Sequence, residues 1–353
     1  MAPPRSRKIG ETWGTRCPAE RASRTILYYG DSMATYLVTG VAGFIGSTLA
    51  RALIARGEQV RGIDNFSTGK RENLTECVSR IELHEVDLLD LDALHRACRG
   101  VDYVLHQAAI PSVPRSVKDP LENNRANVDG TLNLLVAARD AKVKRVIYAA
   151  SSAAYGDTPT LPKREDMLPN PISPYAVAKL AGEYYMTSFY RCYGLETVSL
   201  RYFNVFGPRQ DPTSPYSGVL AKFITQMLKG EEATILGDGK QSRDFTYVDN
   251  VVDANLLACQ ADAKAAAGQV FNVATGQRAD LYQTFQVLKK LIGYRGDVKY
   301  GPERAGDVKH SLADISRAEQ YLGYRPKVDF EEGLSRTIEW YRSHQMEPRF
   351  AKP

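Results

Sequence analysis

A chain of 353 residues with 43% hydrophobic residues has room for one large α/β domain or two smaller ones and can fill a sizeable core. Arg5, Arg7, Lys8, Arg16, Arg21 and Arg24 outweigh Glu11, Glu20 and Asp31, so the net charge of +5 is concentrated in residues 1–32; the body is nearly neutral, which argues against a nucleic-acid partner. No run approaches the roughly 18 uncharged apolar residues of a membrane span, and the N-terminus has no signal-type apolar core, so the expectation is a cytoplasmic enzyme with no membrane partner.

The five cysteines, Cys17, Cys77, Cys98, Cys192 and Cys259, are odd in number and scattered, with no histidines at ligand spacing. They read as reduced thiols, and no metal is expected. Residues 1–33 lack periodicity and read as a disordered extension. Residues 34–200 read as a dinucleotide-binding domain that also carries the reactive groups, 201–345 mainly as a substrate-binding domain with interleaved segments, and 346–353 as a tail.

The first strand opens 35-TYLVTGVAGFIGS-47, which places Gly40, Gly43 and Gly46 three apart before a helical pattern, with Phe44 and Ile45 between the last two. Glycines allow a tight turn and let backbone N–H groups approach a pyrophosphate at a helix N-terminus. The next strand, 59-QVRGIDNFS-67, ends in Asp64 and Asn65, about twenty residues on. A carboxylate there holds the adenosine ribose and repels a 2′-phosphate, so NAD is favoured over NADP.

Two further strand ends face the same crevice, Asp87-Leu88 and His106-Gln107-Ala108-Ala109. Asp87 reads equally as an adenine contact or a turn residue; His106 reads as packing at the strand end, and Gln107, Ala108 and Ala109 as the cofactor wall. Short apolar runs alternating with helical patterns up to about residue 150 predict a Rossmann-like, doubly wound parallel sheet, followed by a smaller C-terminal α/β substrate domain.

The fifth strand runs into 149-AASSAAYGD-157, and 172-ISPYAVAKLAGEYY-185 follows with Tyr175 and Lys179. Alone, a tyrosine and lysine four apart are an ordinary pair on a helix face. With Ser151 and Ser152 at a strand's carboxyl end beside a nicotinamide site, they form a proton-transfer unit. The lysine ammonium and the cofactor's positive charge are expected to lower the tyrosine pKa.

These motifs together make the stretch from Met33 to about His344 resemble the extended short-chain dehydrogenase/reductases, more narrowly the UDP-glucose and UDP-N-acetylglucosamine 4-epimerases. The resemblance implies that Ser151, four residues before Tyr155, is the catalytic serine with Ser152 assisting, and that Tyr175 and Lys179 are the Tyr-x-x-x-Lys pair. It places Asn204 of 201-RYFNVFGP-208 and Arg243 of 236-LGDGKQSRDFTYVDN-250 on the sugar diphosphate. Arg304 and Asp307 fall to phosphate and uridine ribose, Val219 to the substrate, and Ser311 to the floor of the sugar pocket.

Dehydratases of this fold carry Asp-Glu after the catalytic hydroxyl residue, whereas here Ser152-Ala153 follows and neither is a strong acid. The implied reaction is therefore oxidation at C4 of a UDP-sugar, rotation of the keto-sugar and return of the hydride from NAD, in a homodimer joined through helices near 120–140 and 176–193. A small Ser311 in place of a bulky tyrosine implies that N-acetylated sugars are accepted. A UDP-glucuronate decarboxylase, a UDP-glucuronate 4-epimerase and a non-catalytic NAD-binding sensor are the alternatives.

Overall fold

The computed structural model describes residues 33–212, 218–302 and 309–345. Nearly all of the expected N-terminal extension, the tail from 346, and both Arg304 and Asp307 lie outside the described residues.

Six strands, β1 (Thr35–Thr39), β2 (Gln59–Asp64), β3 (Ile81–Glu85), β4 (Tyr103–His106), β5 (Arg145–Ser151) and β6 (Glu196–Tyr202), join a seventh, Gln269–Val273, in one sheet. The order is 3-2-1-4-5-6 with the seventh beside β6, and every pairing is parallel. Parallel neighbours require crossovers, in which lie α1 (Phe44–Ala55), α2 (Leu91–Cys98), α3 (Val113–Lys118), α4 (Pro120–Asn124), α5 (Gly130–Asp140) and α6 (Pro174–Tyr193). The chain winds outward from β1 in one direction, then returns to start β4 on its other side. That switch opens a crevice at the carboxyl ends of the strands.

Both faces of the sheet are covered, as a parallel sheet requires. Leu37 and Val38, adjacent on β1 and fully buried, point opposite ways. Val38 packs with Leu49 and Leu53 of α1 and with Val251, while Leu37 packs with Leu94 of α2 and Leu134 and Leu135 of α5.

After Tyr202 the strands shorten. Val205–Phe206 pairs with Thr246–Tyr247, Thr234–Leu236 with Lys299–Gly301, and Ser242–Arg243 runs antiparallel to Ala279–Asp280. Helices Val219–Leu228, Leu281–Ile292 and Phe330–Gln345 accompany these ribbons, whose own core includes Phe206, Phe223, Phe285 and Leu334. The intervening helix Val248–Gln260 returns to the main sheet and packs Val251 and Val252 on it. The α/β architecture with a doubly wound parallel sheet and a smaller C-terminal part is thus the one expected from the sequence.

Candidate active site

A cleft of about 1480 Å³ lies at the carboxyl ends of the strands. Its first half is built around the glycines. Gly40 has φ +64°, and a Cβ there would come 2.8 Å from the Ala108 Cα; a Cβ on Gly46 would come 2.1 Å from the Gly40 carbonyl oxygen. Only glycine fits this turn. Gly43 is the N-cap of α1 and has no side chain to cap it, which leaves the first turn's amides, at Phe44 and Ile45 on the cleft wall, suited to an anion.

Asp64 is almost fully buried. Its Oδ2 accepts from the Ala42 amide at 2.9 Å and its Oδ1 from the Phe66 amide at 2.8 Å, so each oxygen keeps a lone pair for a ribose hydroxyl. Burial pushes this carboxyl above the ordinary range, against the pull of those two amides and Arg71. Asp87 is both a turn residue and part of the cleft wall: Oδ1 accepts from the Leu89 amide at 2.9 Å and Oδ2 from Asn65 Nδ2 at 2.8 Å. Leu88 lies beside it on the wall.

At the end of β4, Thr39 Oγ1 accepts from the amides of Gln107 and Ala108, both at 3.1 Å. Its proton goes to His106 Nδ1 at 2.8 Å. The Thr131 hydroxyl donates to the Asn127 carbonyl at 2.7 Å and so accepts from His106 Nε2 at 3.0 Å. This chain assigns a neutral Nε2–H imidazole, and burial, helped by the Lys179 charge, lowers its pKa to about 3. His106 packs rather than reacts. Gln107 is fixed by Asn255 at 3.2 Å and by the Tyr202 hydroxyl at 3.3 Å, and presents its other edge, with Ala108 and Ala109, to the cleft.

The candidate reactive groups come from β5 and α6. Ser151 ends β5, and its Oγ accepts from the Ala153 amide at 3.2 Å, which turns the chain and keeps Ser151 and Ser152 on the wall. Ser173 caps α6 through the Ala176 amide at 3.2 Å, with Pro174 at the first helical position. Tyr175 therefore sits in the first turn and Lys179 one turn on, both lining the cleft.

Lys179 is 4% exposed. Its Nζ donates to the Ala149 carbonyl at 2.8 Å and lies 4.8 Å from the centre of the Tyr148 ring. Burial lowers the amine to about 7, with Glu183 pulling the other way. Burial raises the Tyr175 phenol above its ordinary value, and the neighbouring Ser151 hydroxyl pulls it down.

The other half of the cleft holds Asn204, in a left-handed conformation at φ +31°. Its Nδ2 donates to the Asp244 carbonyl and to Ser311 Oγ, both at 3.0 Å. Ser311 Oγ also accepts from the Asp244 amide at 3.3 Å. Arg243 Nη1 donates to the carbonyls of Ser242 and Lys309, both at 3.0 Å. Asn204, Arg243 and Ser311 all line the cleft. Val219 does not: it starts its helix and packs on the C-terminal core, and its neighbour Gly218 is on the wall.

Sequence reasoning missed several supports. The buried Asp244 carboxylate accepts from Thr275 N and Oγ1, Gly276 N and Ala313 N at 2.7–3.2 Å, which ties three segments under the pocket. Lys70 and Asp211, both on the wall, form an ion pair at 2.9 Å across the two halves. Lys163, also on the wall, is bonded to the carbonyl and hydroxyl of Thr158. No local signal marks these residues, because their partners are remote or depend on a loop's path.

The glycine cradle, the buried carboxylate with two open lone pairs and the uncapped helix end fit a dinucleotide. A model of the NAD dependent epimerase/dehydratase family matches residues 36–274. The chain belongs to that family. Within this epimerase/dehydratase family, the chain is 44% identical to the UDP-N-acetylglucosamine 4-epimerase of Methanobrevibacter ruminantium, solved with UDP-N-acetylmuramic acid, at TM-score 0.84 over 88% of this chain and 99% of that one. It is 42% identical to the UDP-glucose 4-epimerase of Thermotoga maritima, solved with UDP-glucose, at TM-score 0.84 and the same coverage. A UDP-glucose 4-epimerase of Mycolicibacterium smegmatis is 40% identical over 311 residues, 87% of this chain and 98% of the relative. As an epimerase/dehydratase the protein is NAD-dependent.

Proposed function

We propose that the protein is a homodimeric isomerase, a nucleotide-sugar 4-epimerase that interconverts UDP-GlcNAc and UDP-GalNAc and also acts on UDP-glucose and UDP-galactose. The observation that carries the sugar assignment is Ser311, a small residue bonded to Asn204 on the cleft wall. A bulky ring there would fill space that a 2-acetamido group needs. The M. ruminantium relative, solved in complex with UDP-N-acetylmuramic acid, supports the same reading.

NAD held in the glycine cradle would supply the hydride acceptor and donor for C4. The chain's residues do the rest. Gly40, Gly43, Gly46 and Asp64 hold the cofactor, and Asn204 and Arg243 hold the diphosphate, with Arg304 and Asp307 assigned by sequence to the phosphate and uridine ribose. Tyr175 takes the C4 hydroxyl proton and gives it back, Ser151 holds that hydroxyl, and Lys179 supplies a nearby positive charge. Ser152-Ala153 lacks the acid needed to eliminate water.

The dimer reading rests on α4 and α6, where Leu121, Val177 and Tyr184 are exposed and apolar. Incubation with UDP-GlcNAc, UDP-glucose and UDP-glucuronate separately, with product identification, tests the assignment. Release of carbon dioxide from the uronic substrate would favour the decarboxylase instead.

A further inference from the structure

Behind the reactive pair, α6 carries a third ionisable residue on the same face. Tyr175, Lys179 and Glu183 follow at intervals of four, which brings successive side chains within about 6 Å of one another. Glu183 is 2% exposed and Arg201 of β6 3% exposed. Arg201 Nε and Nη2 donate to the two Glu183 oxygens at 2.9 and 2.7 Å. Arg201 lies opposite Ala150 in the β5–β6 register, directly behind the strand end that carries Ser151. Its Cζ is 4.6 Å from the centre of the Tyr155 ring, and its Nη1 has no hydrogen-bond partner.

An ion pair this deep is a poor device for stability. Stripping water from both charges costs several kcal/mol each, and apolar replacements of similar volume are often as stable. The core under α6 includes Tyr148, Met186 and Phe189, while the polar Asn272 lies opposite Arg201 on the neighbouring strand. What the pair does is place a partly neutralised negative charge one turn behind Lys179.

We propose that Glu183, held and attenuated by Arg201, is a positioning residue that keeps the Lys179 ammonium charged while leaving it able to give up its proton. The groups facing Lys179 are few. Tyr175 and Glu183 come from α6, the Tyr148 ring and Ala149 carbonyl from β5, and the neutral His106 from β4, 5.5 Å from the Tyr148 ring. Arg201 of β6 and Tyr155 of the turn after β5 reach it through Glu183. Of these, Glu183 is the group whose charge supports the ammonium against burial. Without Arg201 its full charge would hold the lysine proton more tightly; without Glu183 the buried amine would lose that proton near neutrality.

The inference rests on reading Tyr175 and Lys179 as the proton-transfer pair, so its test needs a readout separate from turnover. The Lys179 amine is titrated directly by NMR in NAD-loaded protein made with [15Nζ]lysine, its signal assigned by loss in Lys179→Met. Two variants move the titration in opposite directions. Glu183→Gln/Arg201→Gln keeps a neutral hydrogen-bonding pair and should lower the Lys179 midpoint by one pH unit or more. It should also shift the alkaline limb of kcat downward, with a tenfold or greater loss at pH 8 and little at pH 6. Arg201→Gln alone keeps the carboxylate and should raise the midpoint; where one variant fails to fold, the sign seen in the other decides. Glu183→Asp should retain the wild-type profile. Unchanged midpoints, or displacement in the same direction in both variants, would overturn the proposal. A Tyr175→Phe enzyme with full turnover would sink the proton-transfer reading yet leave these midpoints to be judged on their own.

Discussion

The side-chain amide of Asn204 donates to the hydroxyl of Ser311 at 3.0 Å, joining two cleft residues 107 positions apart. Ser311 is thus both a small residue in the pocket and an acceptor that aims Asn204. The two roles separate by mutation. Ser311→Tyr should abolish turnover of UDP-GlcNAc while sparing UDP-glucose, a specificity change made by steric exclusion. Ser311→Ala removes only the acceptor and should cost about 1 kcal/mol of stability with the sugar preference kept. Kinetics on both sugars and a thermal melt check this; equal loss on both sugars in Ser311→Tyr would remove the gatekeeper role.

Tyr175→Phe keeps the ring on α6 and removes the proton acceptor. Turnover should fall by roughly 10²–10⁴ while UDP-sugar and NAD still bind. Calorimetric binding alongside kcat measures this. Retained activity would move the proton to Ser151 acting through a water.

Under the proposed epimerase cycle, which closes on itself, protein purified without added nucleotide should carry NAD and turn over with none supplied. Asp64→Ala removes both ribose-facing oxygens and the acceptors for the Ala42 and Phe66 amides, so it should lose NAD on dialysis. Nucleotide released on denaturation and quantified by chromatography reads this out, and active protein free of NAD would count against it.

His106 gives a pH signature. Its pKa falls from 6.5 to about 3 in the folded protein, so between those values the unfolded chain binds the extra proton and stability drops as the pH drops. The effect is complete below about 3 and absent above about 6.5. His106→Gln should flatten the melting-temperature profile across this window, at some cost at pH 7 from the disturbed Thr39 and Thr131 hydrogen bonds. A profile as steep as the wild type would assign acid sensitivity elsewhere.

The sheet and the dinucleotide half were legible because their signals are local. A strand, a glycine turn and a helix are written in consecutive residues, and Asp64 follows at a spacing set by one crossover. Tyr175 and Lys179 were legible for the same reason. Glu183, four residues further along the same helix, was not singled out, because its meaning depends on Arg201 from a different strand. Asp244 likewise acquires its role from Thr275 and Ala313, 31 and 69 residues away. The path of the Lys179 side chain to the Ala149 carbonyl likewise cannot be read from spacing.

The most direct test of the account is the fate of the hydrogen on C4. UDP-GlcNAc carrying deuterium at C4 is incubated in ordinary water with the purified protein and no added NAD, and the product is analysed by NMR and mass spectrometry. Oxidation and return within one closed site predicts UDP-GalNAc with the deuterium still on C4. Deuterium lost to water, or UDP-GlcNAc left unconverted, would contradict it.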